Sequence, residues 1–301
     1  MPDYAPFPLA DSGFGLTSTV VTGAVGSAVV HHRPQRSSTR ATVFIHGAAG
    51  SWTTWSPVLH AARDAGAEIA DPVLIDLPGW GAGRLVDPSP SIAAICELVR
   101  DAVTQLGYEE WDLVGHSMGG FLALHLAVTD PAVVRSVTMV SGTTFSVIES
   151  VEHPIVRFRT LPGFVALWQV MKLLGRLGSG GRSFVGGLAA VGLLRPAVFP
   201  LFRHPWRVDR SVIDALGREL RPASFVAATR ILRGYDPAVW SAIRCPVTAI
   251  KGDRDVFVRD DDLERLAAVV PQARLVVVPD CGHFAGVERP FAVLDAMTVA
   301  S

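Results

Sequence analysis

The stretch Trp111–Ala127, "WDLVGHSMGGFLALHLA", sets one serine, Ser117, between Gly115 and Gly119. An apolar strand-like run precedes it and a helix-like run follows. A serine at so sharp a strand-to-helix turn sits in a strained backbone conformation. Side chains at the flanking positions would collide with it or with neighbouring elements. Two glycines remove that obstruction. The turn lifts the hydroxyl above the carboxyl edge of a sheet, where the N-terminus of the next helix favours negative charge. G-x-S-x-G is a weak signal alone, and its place between strand and helix gives it weight.

Working outward, short runs rich in Val, Ile and Leu recur, separated by helix-length segments. "ATVFI" (41–45), "PVLID" (72–76), "WDLVG" (111–115), "VRSVTMV" (134–140), "PVTAIKG" (246–252) and "RLVVVP" (274–279) read as continuous apolar strands. Strands of that kind are buried on both faces, which predicts an α/β fold with a mostly parallel central sheet and helices on each side. Helices are expected at about 53–65, 91–106, 118–129, 261–270 and 290–299, and an N-terminal hairpin from "FGLTSTVVTG" and "AVGSAVVHH". "RPQRSSTR" (33–40) reads as a surface loop. The rhythm breaks from about 143 to 240, where apolar segments punctuated by Gly and Arg carry no strand signal. We therefore expect a core of 1–142 and 241–301, with 143–240 a helical cap inserted over the strand ends.

Bulk properties narrow the function. The 301 residues are 49% hydrophobic with a formal net charge of −1, enough chain for a large core and no basis for nucleic acid or an anionic membrane as partner. Cys96, Cys245 and Cys281 are scattered without a C-x-x-C pair, which indicates reduced thiols in a cytoplasmic protein. The opening "MPDYAPFPLADSGFG" has neither a basic nor an apolar leader region. In the most apolar stretch, Lys172, Arg176 and Arg182 interrupt the run, and 183–194 falls short of the roughly 20 residues that a span needs. No membrane span is expected. No metal cluster or phosphate loop is present in the sequence, so no cofactor is implied.

Serine is a poor nucleophile unless a base is held beside it by a third group. His283, in "VVVPDCGHFAGVERP", follows the last expected strand, where a loop can reach Ser117. His116 adjoins the serine but should face the opposite way. His46 opens the loop after "VFI" and is expected to be structural. The acid should follow an earlier strand. "SGTTFS" (141–146) offers no carboxylate, whereas "KGDRDVFV" offers Asp255, our choice, with Asp253 as the alternative. An oxyanion needs two preorganised N–H donors; Met118 at the helix start and Ala48 in "HGAAGSWTTW" (46–55) are the candidates.

Together "HGAAGSW", "DLPGWGAG" (76–83), "GHSMGG", "KGDRD" and "GHFAGVERP" resemble the α/β-hydrolase superfamily, in its order Ser, Asp, His. The resemblance implies Ser117 as nucleophile, His283 as general base and acid, Asp255 as orienting carboxylate, and Ala48 and Met118 as oxyanion-hole donors. The family's dehalogenases and epoxide hydrolases use an aspartate nucleophile, which Ser117 argues against. Its C–C hydrolases usually carry a Ser-Gly-Pro-Gly loop and a tryptophan after the histidine, where this chain has "AAG" and Phe284. The resemblance thus implies a serine hydrolase acting on a carboxylic ester, thioester or lactone, and the apolar cap segments "FVALWQVMKLL" and "FVGGLAAVGLL" point to a lipophilic small molecule. C–C bond hydrolysis, cofactor-free perhydrolysis and a non-hydrolytic binding role are the alternatives. Trp52, Trp55, Trp206 and Phe284 are candidate substrate contacts, with helix packing an equal reading for Trp52 and Trp55, and Arg203 and Arg207 are candidates for an acidic group. The sequence sets no oligomeric state.

Overall fold

The computed structural model of the chain describes Tyr4 and residues 6–298. Its centre is a sheet in the order β1-β2-β4-β3-β6-β7-β8-β9. The hairpin β1 (Thr17–Gly23) and β2 (Gly26–His32) pairs antiparallel, as does β2 with β4 (Pro72–Asp76). From β4 onward the sheet is parallel: β3 (Arg40–Ile45), β6 (Glu110–His116), β7 (Val134–Val140), β8 (Val247–Gly252) and β9 (Ala273–Val278). The two-residue β5 (Arg84–Leu85) pairs with β2 and has no periodicity to betray it in the sequence. Helices α1 (Ser56–Asp64) and α13 (Pro290–Thr298) pack together on one face. Helices α2 (Ile92–Gln105) and α3 (Met118–Thr129) contact each other in the layer that also packs on β1, β6 and β7. The last residue of the helix expected over 290–299 lies outside the described residues.

The strands expected to be buried on both faces are so in the middle of the sheet, where every residue of β4 and of β8 is buried. β9 is different. It is the sheet edge, and Leu275 and Val277 are exposed, so its apolar run does not mean double burial. Helix α3 is buried all round from Met118 to Leu124, the signature of a helix enclosed by its own protein.

Between β7 and β8 no strand is present among the described residues. The chain forms α4 (Phe145–Glu152), α5 (Pro154–Arg157), α6 (Pro162–Arg176), α7 (Ser179–Ala190), α8 (Leu194–Val198), α9 (Arg210–Glu219) and α10 (Pro222–Arg230). This insert reaches the core from above. Phe225, Trp168 and Met171 join the main apolar cluster beneath it. The segment after β9 carries α12 (Ala285–Glu288), while α11 (Asp260–Val269) links β8 to β9.

Candidate active site

Register decides where the loops meet. Ile45 pairs with Gly115, and His116 with Val140, so β3, β6 and β7 end side by side and their loops open on one edge. Ser117 sits there with φ 51° and ψ −116°, a backbone that non-glycine residues rarely adopt. Its N–H donates to Val140 O at 3.0 Å, and its carbonyl accepts from Thr143 N at 2.9 Å. These bonds hold the strained residue in place. A Cβ at Gly119 would lie 2.0 Å from Ile45 O, and one at Gly115 2.3 Å from Gly119 O. The glycines therefore allow β3, β6 and α3 to meet at this turn.

The histidine and one acid converge on the same edge. His283 Nδ1 lies 2.9 Å from Asp255 Oδ1, both side chains being buried. Donation from Nδ1 to the carboxylate leaves Nε2 as the ring nitrogen open to a hydroxyl. Burial pushes the Asp255 carboxyl up, but His283 and the N–H of Phe257 outweigh it and hold the group below the ordinary carboxylate range. Phe257 N and Val258 N both donate to Oδ1, at 2.8 and 3.1 Å. Asp253 faces elsewhere: its Oδ1 accepts from Cys281 N at 3.1 Å and so ties the two loops together.

Ser117 and His283 line one cavity of about 420 Å³ with Ala48 and Met118. Among the described residues, the N–H groups of Ala48 and Met118 donate to no other group. Behind Ala48, His46 ties the loop to the turn after β4: Nδ1 donates to Gly47 O and Nε2 accepts from Leu77 N. Burial holds His46 below its ordinary pKa, so the neutral ring is favoured, as this pair of bonds requires. The expected structural role of His46 has this geometry.

Other residues lie away from their expected places. His116, expected to face the opposite way from Ser117, lines the same cavity as Ser117 and lies against His283. The two rings lie 5.0 Å apart, and His116 Nε2 is 3.1 Å from the His283 carbonyl. Burial and the neighbouring His283 push the His116 pKa down to about 3, so this ring stays neutral. Trp52 and Trp55 do not line the cavity. Trp52 stacks on His31 at 4.6 Å, and Trp55 packs against Phe44 in the core. Trp206 is 73% exposed and packs edge-on to Phe199. An aromatic side chain's size marks it for burial or contact but gives no direction, hence the corrections. Phe284 does line the cavity. Arg203 donates to Asp280 and Arg207 to Tyr4 O, and neither reaches the cavity.

Sequence reading missed Glu288. Its carboxylate accepts from Gly282 N at 2.7 Å, Arg203 N at 2.6 Å and Tyr4 Oη at 3.0 Å. His283 N in turn donates to Leu201 O at 2.8 Å. One buried carboxylate thus clamps the histidine loop to the insert and to the N-terminal arm. Burial raises its pKa despite these donors. The only hint in the sequence is an acid inside the apolar "FAGVERP".

Comparisons with known proteins bear on the fold and the family. The chain is 27% identical over 270 residues to a probable lysophospholipase, BODYGUARD 1, of Arabidopsis thaliana, matching 83% of this chain and 56% of that protein. The chain thus spans little more than half the length of that relative. It is 24% identical over 263 residues to a 2-hydroxy-6-oxononadienedioate/2-hydroxy-6-oxononatrienedioate hydrolase of Paraburkholderia phymatum, covering 85% of each. A thermophilic esterase from Thermogutta terrifontis superposes with a TM-score of 0.70 at 18% identity, over 94% of this chain and 97% of the other. The model of the alpha/beta hydrolase family matches residues 42–296, a span that runs from β3 through the elbow serine to the final helix. The chain belongs to the alpha/beta hydrolase family.

Proposed function

We propose that the protein is a serine hydrolase that cleaves carboxylic esters with an extended apolar acyl group. The observation that carries the reading is a single cavity holding Ser117 on its strained turn, the Asp255-oriented His283, and a mostly apolar wall in which His116, Thr143 and Thr229 are the other polar residues. His283 Nε2 takes the Ser117 proton as Oγ bonds to the ester carbon. Asp255 keeps the imidazole in the tautomer that accepts there and stabilises the imidazolium. The N–H groups of Ala48 and Met118 receive the developing oxyanion, each contributing about 3 kcal/mol to the transition state. The imidazolium then protonates the departing alcohol. Water, deprotonated by the same ring, releases the acyl group and restores the serine. Residues 143–240 act as the cap that shapes this cavity.

The wall argues for the substrate. Leu167, Met171, Val185, Leu216, Phe225 and Leu232, drawn from α6, α7, α9 and α10 and the segment after α10, line the cavity, and no Arg, Lys, Asp or Glu does. A dioate, as named for the Paraburkholderia relative, carries two carboxylates, and burying them without cations is costly. The apolar wall instead adds about 0.8 kcal/mol per buried methylene. Turnover of p-nitrophenyl esters should therefore rise at least tenfold in kcat/KM from acetate to octanoate. A flat or falling series would contradict the apolar-acyl reading.

A further inference from the structure

The even net charge hides a sharp asymmetry. Of 27 Lys and Arg residues, eight lie between Glu152 and Asp209, and none of the 28 Asp and Glu residues does. That interval contains α5 to α8. Arg195, Arg203 and Arg207 donate to carbonyls or to Asp280 of their own chain. Arg159, Lys172, Arg176 and Arg182 have no paired carboxylate among the described residues, and all but Lys172, which lies over the Trp168 ring, are exposed.

The same segment exposes apolar side chains that a water-facing surface has no use for. In α6 the inward face buries Phe164, Trp168, Met171 and Leu174, yet Val170, Leu173 and Leu177, spaced along the other face, are 49%, 59% and 60% exposed. Ile155 beside α6, Phe184 on α7 and Leu193 beyond it are exposed as well. A helix apolar on both sides needs a partner on both. Val170 and Phe184 are at once exposed and part of the cavity wall, so the cavity opens onto this face. Among the described residues no single helix is long and apolar enough to cross a membrane.

We infer that the outer face of α5 to α8 docks on an anionic phospholipid surface, with the cavity mouth opening against the lipid. Unpaired cations beside exposed aliphatic groups match that surface in both charge and hydrophobicity. Docked so, an acyl chain passes from the bilayer to Ser117 without crossing water. That route rests on the ester reading above; the docking itself does not.

The test is co-sedimentation of the Ser117→Ala protein, which leaves lipid intact, with vesicles of phosphatidylcholine alone or with about one-third phosphatidylglycerol. Partitioning should be at least about tenfold higher on the anionic vesicles and should fall as salt is raised. Arg176→Gln and Arg182→Gln should each lower it about fivefold. Leu173→Ser with Leu177→Ser should lower it on both vesicle types. In the Ser117 background these variants must keep the parental turnover of a soluble short-chain ester, which separates docking from the catalytic reading. Equal partitioning on neutral and anionic vesicles, none on either, or indifference to the four substitutions overturns the proposal. A dimer that Leu173→Ser with Leu177→Ser dissociates, without vesicle binding, assigns the face to a second copy and overturns it equally.

Discussion

The sheet-and-elbow core and the helical insert are both apolar, yet they use apolar residues in opposite ways. In the core Ile45, Phe121 and Met139 beside the elbow are fully enclosed, and backbone atoms approach so closely that a methyl group at residue 119 would have no room. In the insert, glycines such as Gly186 have nothing within 4 Å of an added Cβ, and leucines face outward. The core fixes the positions of Ser117, Asp255 and His283. The insert shapes a wall and a surface, which tolerate change. On the proposed function, reaction geometry and substrate choice would be carried by regions under different packing constraints.

The largest way to break this comparison lies in the core. Asp255→Asn preserves size but presents an amide to His283 Nδ1 and favours the wrong tautomer. Ester turnover should fall about 10⁴-fold with little loss of melting temperature. A fall of less than tenfold would remove Asp255 from its role. Next, Gly119→Ala sets a methyl group 2.0 Å from the Ile45 carbonyl. It should cost about 3 kcal/mol or more in denaturant unfolding. An unchanged midpoint would show that the elbow has slack.

Acid should also strike the core first. Buried His116, with its pKa pushed down to about 3, stays neutral while the unfolded chain's imidazole takes a proton below about 6.5. The unfolded state then binds more protons, so stability falls as pH drops from about 6.5 towards 3. Asp255, held low by His283, adds to the loss at the acid end of that window. His116→Asn should flatten the dependence of urea midpoint on pH, and an unaltered slope would place the titration elsewhere. The smallest effect sharpens the contrast with Gly119. Gly186→Ala, inside α7 with open space around it, should stabilise the insert by about 1 kcal/mol. The same substitution thus changes sign between the regions.

How much of this the sequence carried follows the same division. Parallel strands announce themselves because double burial forces unbroken runs of Val, Ile and Leu, as in 72–76 and 246–252. The turn at Ser117 announces itself because only glycine fits at 115 and 119. Carboxylates after a strand narrow to Asp253 and Asp255, and coordinates place only Asp255 beside His283. Glu288 and His116 escaped because their partners lie far off in the chain: Arg203 and Tyr4 for the first, the His283 carbonyl for the second. For Trp52 and Trp55 the packing reading holds and the cavity reading does not, because periodicity gives burial but not which cavity a ring faces. The insert's cationic, apolar outer face was obscured by averaging charge over the chain.

The most direct test is mass spectrometry after a long-chain alkyl fluorophosphonate treatment. One adduct per chain is expected, on the peptide carrying Ser117, absent in Ser117→Ala and strongly slowed in His283→Ala. Folded protein that stays unlabelled, or is labelled at another residue, would contradict a nucleophile at 117.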